Sequence, residues 1–288
     1  MANTIDWGQG AVNNTNDWGK GKTNASNNWG DIYDSTAAGE TNITGSGGGV
    51  PFTNTYSMSF DGIDEWFNVA DNDNLSFGNG TTDSPFSISA WVKMNDATRF
   101  RIVGKYDSNL EYLFSTGGTD KIVFNCYDNS TSARIGRQYS TALTSFEGQW
   151  IHLVATYNGS SSSSGLKIYL NGSRVDDTDS NSGTYTAMEN TTAPLEIGKN
   201  LTTYANGLID ETAIFNSELS ASDVSTIFNN GVPQDISSLS PVSHWRMGEN
   251  ATWNGSTWTL TDQGSGGNNA TSVNMEEADK TGDQAYVL

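Results

Sequence analysis

The stretch FSISAWVKM, residues 86–94, alternates strictly, with Phe86, Ile88, Ala90, Val92 and Met94 on one side of an extended chain. That two-residue period is the mark of a β-strand with one face in a core. The rest of the chain from Tyr56 onward has the same texture: short apolar runs rich in β-branched and aromatic residues, cut by Gly, Asn and Ser. YSMSFDG (56–62) and EWFNVA (65–70) flank the turn Asp61-Gly62, and RIVGKY, EYLFST and KIVFNCY follow at short intervals. QWIHLVATYNG (149–159) is a strong strand. GLKIYLNGSRV (165–175) predicts a hairpin turning at Asn171-Gly172. PLEIGK (194–199), NGLIDETAIF (206–215), VSHWRMGE (242–249), STWTLTD (256–262) and NATSVNM (269–275) add further strands. One helix is expected, capped by Ser220 with Asp223 three positions on, striped by Val224, Ile227 and Phe228, and ended by Asn230-Gly231 and Pro233. About a dozen short strands and a single helix predict an all-β, two-sheet sandwich or jelly roll.

The chain has 288 residues and a net charge of −19, and only 16% of its residues are charged. A nucleic-acid backbone or an anionic membrane would be repelled, so neither is an expected partner. Acidic loops suit a hard cation such as Ca²⁺, although a solvated acidic surface has the same composition. The one cysteine, Cys126, excludes an intrachain disulfide and reads as a small buried hydrophobe. No stretch approaches the roughly 20 apolar residues of a membrane span. The opening MANTIDWGQG has neither the basic nor the apolar region of a secretory signal. The expectation is a chain assembled in a host cytoplasm and released by lysis.

Residues 5–37 are a tandem repeat of three eleven-residue units, IDWGQGAVNNT, NDWGKGKTNAS and NNWGDIYDSTA, with Trp7-Gly8, Trp18-Gly19 and Trp29-Gly30 at matching positions. Burying one Trp returns about 2–3 kcal/mol, whereas fixing eleven backbones costs about 1–2 kcal/mol each. The repeats therefore need a partner to order them. Regular aromatic anchors on a polar chain are what a docking tail requires; three stacked turns capping the sandwich is the alternative reading. The expected organisation is a repeat segment over 1–43, a Gly-rich linker TGSGGGVP over 44–51, and the sandwich over 52–288.

The blocks SMSFDGIDEWFNVADNDNLSF, FSISAWVKM, QWIHLVATYNG, LKIYLNGSRV, PLEIGKN and GLIDETAIFNSELSASDV, in that order and spacing, resemble the laminin-G-like, concanavalin-A-like jelly roll across about 56–230. One piece departs from the pattern. A segment similar to SHWRMGENATWNGSTWTLTDQGSGGNNATSVNM usually precedes the FDG block; here it occupies 243–275. It is read either as completing the same sandwich in permuted order or as an accessory packed on a neighbouring subunit. The resemblance implies a Ca²⁺ site formed by Asp61, the Gly62 carbonyl, Asp64 and Asp210, and it implies glycan binding. Tyr185, Tyr204 and Trp253, in loop-like stretches, are candidate sugar-stacking rings, and exposed aromatics at subunit contacts would look the same. A second acidic run, DNDN at 71–74, lacks the Gly and Glu of an EF-hand loop and reads as a plain loop.

The repeats and YDSTAAGETNI are similar to virion structural proteins of marine tailed bacteriophages. That likeness implies a capsid fibre, decoration or tail appendage in a homo-oligomer such as a trimer, docked on other virion proteins through Trp7, Gly8, Trp18, Gly19, Trp29 and Gly30 and facing host-surface glycans. Two other readings stand beside it: a calcium-dependent lectin or adhesin outside any virion, and a glycoside hydrolase. Against catalysis, the compact Glu-x-Asp-x-Glu strand of one jelly-roll glycosidase group is missing, His152 and His244 are the sole imidazoles, and no serine elbow or phosphate loop occurs. A non-enzyme is expected.

Overall fold

The computed structural model describes residues 52–287. In chain order the strands are β1 (Ser57–Asp61), β2 (Trp66–Val69), β3 (Phe86–Met94), β4 (Arg101–Tyr106), β5 (Leu110–Thr116), β6 (Ile122–Asp128) and β7 (Ala133–Gln138). Then come β8 (Trp150–Tyr157), β9 (Leu166–Leu170), β10 (Ser173–Arg174), β11 (Thr178–Asp179), β12 (Leu195–Ile197), β13 (Lys199–Asn200), β14 (Thr203–Tyr204) and β15 (Asn206–Phe215). Helix α1 (Ala221–Phe228) follows, and β16 (Ser243–Trp245), β17 (Ala251–Trp253), β18 (Trp258–Leu260), β19 (Ala270–Val273) and β20 (Lys280–Thr281) close the series. One sheet runs β10-β9-β8-β3-β15-β1-β20, with β16 also paired to β15. The other runs β11-β7-β6-β5-β4-β12-β2-β19-β18-β17. The small pair β13-β14 stands apart from both.

The two large sheets enclose the core. Phe86 lies at its centre, stacked on Phe77 at 4.3 Å between ring centroids and meeting Tyr112 at 5.0 Å and Phe124 at 5.6 Å. The apolar positions of β3 face the other sheet, as its alternation requires. The β9–β10 hairpin turns through Asn171 (φ 48) and Gly172 (φ 78), the left-handed pair that a two-residue turn needs. Residues 243–273 finish the same sandwich: β17, β18 and β19 extend the ten-stranded sheet beyond β2, and fully buried Trp245 donates its indole N–H to the Asn268 carbonyl at 2.7 Å.

The two outer faces differ. On the eight-stranded sheet, α1 packs Val224 and Ile227 over Val154, Tyr169, Ala213 and Phe215. A box closes the helix N-terminus, in which the Ser220 hydroxyl accepts from the Asp223 N–H and the Asp223 carboxylate accepts from the Ser220 N–H. The ten-stranded sheet carries no helix among the described residues. Its register sets one row facing away from the core across nine of the ten strands, from β17 to β7: Thr252, Thr259, Thr271, Asn68, Glu196, Gly104, Leu113, Asn125, Gly136.

Removing the ring at the core's centre is expected to be costly. Phe86→Ala should lower stability by about 3–5 kcal/mol, read as a fall in the urea midpoint. A loss below about 1 kcal/mol would place the centre of packing elsewhere.

Candidate functional site

The middle of β15 reads Ile209-Asp210-Glu211-Thr212. In an unbroken strand Asp210 and Glu211 would point to opposite faces. The pairing with β3 shifts register between Asp210 and Ala213, and Glu211 sits at φ 43. This bulge lets both carboxylates reach one place, where Glu249 joins them. One oxygen from each of the three lies within 4.8 Å of the others.

The three carboxylates are held differently. Glu211 is matched by positive charge, since it accepts from Arg246 Nε at 2.9 Å and meets the imidazole of His244. Glu249 accepts backbone N–H bonds from Thr55 and, at 2.9 Å, from Tyr56. Asp210 is fully buried and accepts from Asn54 Nδ2 at 2.9 Å and from the Glu211 N–H at 2.8 Å. Burial, reinforced by the neighbouring Glu211 and Glu249 charges and only partly offset by Asn54, holds the Asp210 carboxyl well above the usual range. Two further oxygens here, Asn54 Oδ1 and Glu249 Oε2, are buried without a partner. Surplus negative charge together with orphaned acceptors is the donor set a hard cation needs.

Asp61, Gly62 and Asp64 are not part of this cluster, which corrects the expected four-residue grouping. Asp61 pairs with Asn206, four residues before Asp210 on β15, a separation of about 13 Å along the strand. The Asp61 carboxylate closes its own turn, accepting from the N–H groups of Ile63 at 2.7 Å and Asp64 at 3.3 Å around Gly62. Glu65, buried in that turn, has its carboxyl pushed up to about 7, chiefly by burial. In the DNDN run, Asp71 bonds to buried Lys105 at 2.6 Å, and Lys105 bonds to Glu111 at 2.9 Å. His152 is buried, stacked on Trp91 at 4.7 Å and bonded to Ser89, and burial pushes its pKa down to about 3. Cys126 is fully buried and its thiol is raised by that burial.

Of the candidate sugar-stacking rings, Tyr185 donates its hydroxyl to Asp83 at 2.7 Å and packs on the core. Tyr204 lies 5.8 Å from Trp66, on which Lys199 sits at 4.6 Å. Trp253 lies 5.3 Å from Trp258. The Trp-Gly positions Trp7, Gly8, Trp18, Gly19, Trp29 and Gly30 lie outside the described residues. Sequence reasoning missed Glu211, Glu249 and Asn54. A tandem Asp-Glu within a buried strand was the available signal, because strict alternation cannot seat two adjacent carboxylates on one side.

A family model described as the concanavalin A-like lectin/glucanases superfamily matches residues 61–225. No curated protein matches the chain. Among solved structures, a "putative carbohydrate binding protein" from Bacteroides ovatus is similar at TM-score 0.58 and 16% identity, over 83% of this chain and 62% of that one. This chain thus spans a little under two thirds of that structure. Domain 4 of AbnA, an extracellular arabinanase from Geobacillus stearothermophilus, aligns at TM-score 0.42 and 19% identity, over 61% of this chain and 81% of that one. The botulinum neurotoxin serotype C1 binding domain aligns at TM-score 0.43 and 14% identity, over 75% and 59%.

The raised Asp210 carboxyl makes a signed prediction. The folded chain holds that proton above the ordinary unfolded value of about 4, so metal-free stability falls as pH rises from there through the raised folded pKa. Asp210→Asn should remove this part of the slope and raise stability at neutral pH in chelator. Urea titrations at pH 4.5 and 7.5 measure it, and an unaltered slope in the variant would show that Asp210 is not the group responsible.

Proposed function

Because the chain belongs to the concanavalin A-like lectin/glucanases superfamily, matched over residues 61–225, we propose that it is a non-enzymatic glycan-binding jelly roll displayed on a phage particle. The observation that carries the binding reading is the asymmetry of the outer faces. One is covered by α1, while the other presents Thr252, Thr259, Thr271 and Asn68 side by side at the β17–β2 end of the ten-stranded sheet. A sheet face lined with hydroxyls, amides and a few aromatic rings is suited to sugar hydroxyls and ring faces. The Bacteroides ovatus protein, a "putative carbohydrate binding protein" of the same fold, supports that reading.

The particle assignment rests on the sequence: three Trp-Gly units that need an external surface to order them. In this reading the repeats dock on other virion proteins, and the sandwich, in several copies such as a trimer, faces host glycans. Multiple copies make weak sugar contacts useful through avidity. Calcium is the proposed ion. Asp210, Glu249 and Asn54 would hold it, and it would supply the positive charge that these buried oxygens lack.

Deleting residues 1–43 should abolish incorporation into particles, measured by mass spectrometry of purified virions, while glycan-array binding persists. A deleted chain that still enters particles would refute the docking role. Calcium should raise the thermal midpoint of the wild type, by about 2.7 kcal/mol of stability at a hundredfold excess over Kd, and leave Asp210→Asn unmoved. An equal response in both would remove the ion from this site.

A further inference from the structure

At its β17–β2 end the ten-stranded sheet sets four residues side by side on the face turned from the core. Thr252 opposes Thr259, Thr259 opposes Thr271, and Thr271 opposes Asn68. Directly opposed residues share a face, and their chain neighbours Leu260, Ala270 and Phe67 point into the core. Strands lie about 4.8 Å apart, so the row is a ladder of small polar groups about 14 Å long. Thr252 and Thr271 are exposed, and Thr259 and Asn68 are half-buried. Among the described residues, none of the four side chains is hydrogen-bonded to another group. Nearby polar groups are engaged: Asn254 Nδ2 donates to Thr257 Oγ1 at 2.9 Å, and the Ser272 hydroxyl accepts the Trp258 N–H at 2.8 Å.

The row is closed at one end. Beyond Asn68 stands Glu196 of β12, only 4% exposed and bonded to Lys199. The Lys199 ammonium lies 4.6 Å from the Trp66 ring centroid, and Tyr204 lies 5.8 Å from the same ring. Trp66 is two residues from Asn68 on β2 and so shares its face. The two half-buried rings form an apolar wall where the polar ladder stops. The other end is open, because β17 is the last strand of the sheet. The row also lacks charge. Strands β2, β17, β18 and β19 carry no charged residue, in a chain with 33 Asp and Glu against 14 Lys and Arg. Lys199, the cation at the wall, is matched by Glu196. An ionic ligand therefore finds no counter-charge along the row, and a protein partner finds no large apolar side chain on it to seat the core of an interface.

We propose that this end of the sheet binds an uncharged, extended polysaccharide lying across the strands. The step of the ladder is close to the length of one pyranose unit in an extended chain, so successive sugars each meet one hydroxyl or amide. The hydroxyls of Thr252, Thr259 and Thr271 exchange hydrogen bonds with sugar hydroxyls, and Asn68 does so through its amide. The last sugar packs its C–H groups against the wall of Trp66 and Tyr204. The proposal rests on the glycan-binding reading and adds the ligand's charge and shape, its direction across the sheet and the residues that hold it.

Affinity electrophoresis of the full chain tests it, with hydroxyethylcellulose, glucomannan and arabinoxylan as extended neutral polymers, dextran as a coiled neutral polymer and polygalacturonate as an acidic one. At least one extended neutral polymer should retard the chain, to the same degree at low and high salt, and more than dextran or polygalacturonate does. Thr271→Val, nearly isosteric, removes one hydroxyl and should weaken that retardation about twofold to tenfold, with an unchanged thermal midpoint. Thr259→Lys and Thr271→Lys put a long side chain across the row and should abolish it. Ser222→Lys, exposed on α1 at the other outer face, adds the same charge and should bind as the wild type does. Retardation that survives all three row variants overturns the location. Retardation by polygalacturonate alone, or one that falls as salt rises, overturns the uncharged ligand. Self-association that the lysine variants break, with no polymer retarded, makes the face a contact between copies and overturns the proposal. If no extended neutral polymer retards the chain the proposal fails, while any glycan bound on an array keeps the glycan reading standing; no glycan bound of any kind overturns both.

Discussion

The backbone pairing of β15 is the constraint on which the rest of this sandwich depends. Its ten residues bond to β3 on one side and to β1 and β16 on the other. The long β3–β15 pairing sets which side chains face the core, because a slip of one residue would turn every apolar group of β15 outward. The same strand absorbs the irregularity at Asp210–Ala213. A regular ladder cannot bring two adjacent carboxylates together; the bulge does so, and the stability of the surrounding pairs holds Glu211 in its left-handed conformation. The acidic cluster is thus a local exception maintained by the regularity around it.

That cluster also holds the chain where it enters the sandwich. Asn54 bonds to Asp210, the N–H groups of Thr55 and Tyr56 bond to Glu249, and Arg246 bonds to the Thr53 carbonyl and lies 4.1 Å from the Phe52 ring. Residues 52–56 lack strand partners of their own and are fastened by side chains from β15 and from the segment after β16. The two sheets have divided roles. The eight-stranded one is buried on both faces, by the core and by α1, and accordingly carries Trp91, His152 and Phe215 where a solvated sheet would carry polar groups. The ten-stranded one is apolar inside and polar outside.

Much of this was legible in the sequence. FSISAWVKM and NGLIDETAIF are strands over the same residues, Asn171-Gly172 turns the hairpin, and Ser220 and Asp223 start the helix, because each signal is local: alternation, turn chemistry, capping. Strand β7, sequence ARIGRQ, was not read as a strand. Its apolar positions are the small Ala133 and Ile135, and Gly136 weakens the pattern, yet that glycine is what makes room for Asn125. The acidic cluster was legible only in part. Asp210 stands out as a charge within an apolar strand, but its companions come from Glu249 and Asn54, remote segments that only the tertiary pairing brings near. Asp61 was attractive by sequence and lies elsewhere because the β1–β15 register opposes it to Asn206. The row facing away from the core on the ten-stranded sheet has no linear signature at all, being one residue from each of nine strands.

The placement of residues 243–281 bears on how the molecule comes into being. β2, the second of the described strands, hydrogen-bonds to β19, and β1, the first of them, bonds to β20. Trp245 fills part of the interior. A growing chain on the ribosome that has emitted everything through α1 therefore still exposes one edge of β2 and lacks a large core side chain. Closure waits for residues 243–281, and the contacts that complete it join segments some two hundred positions apart. Such distant pairings make for slow folding and a long interval with an unprotected strand edge. The rearrangement that completes the sandwich thus lengthens the period in which neighbouring nascent copies can pair edge to edge.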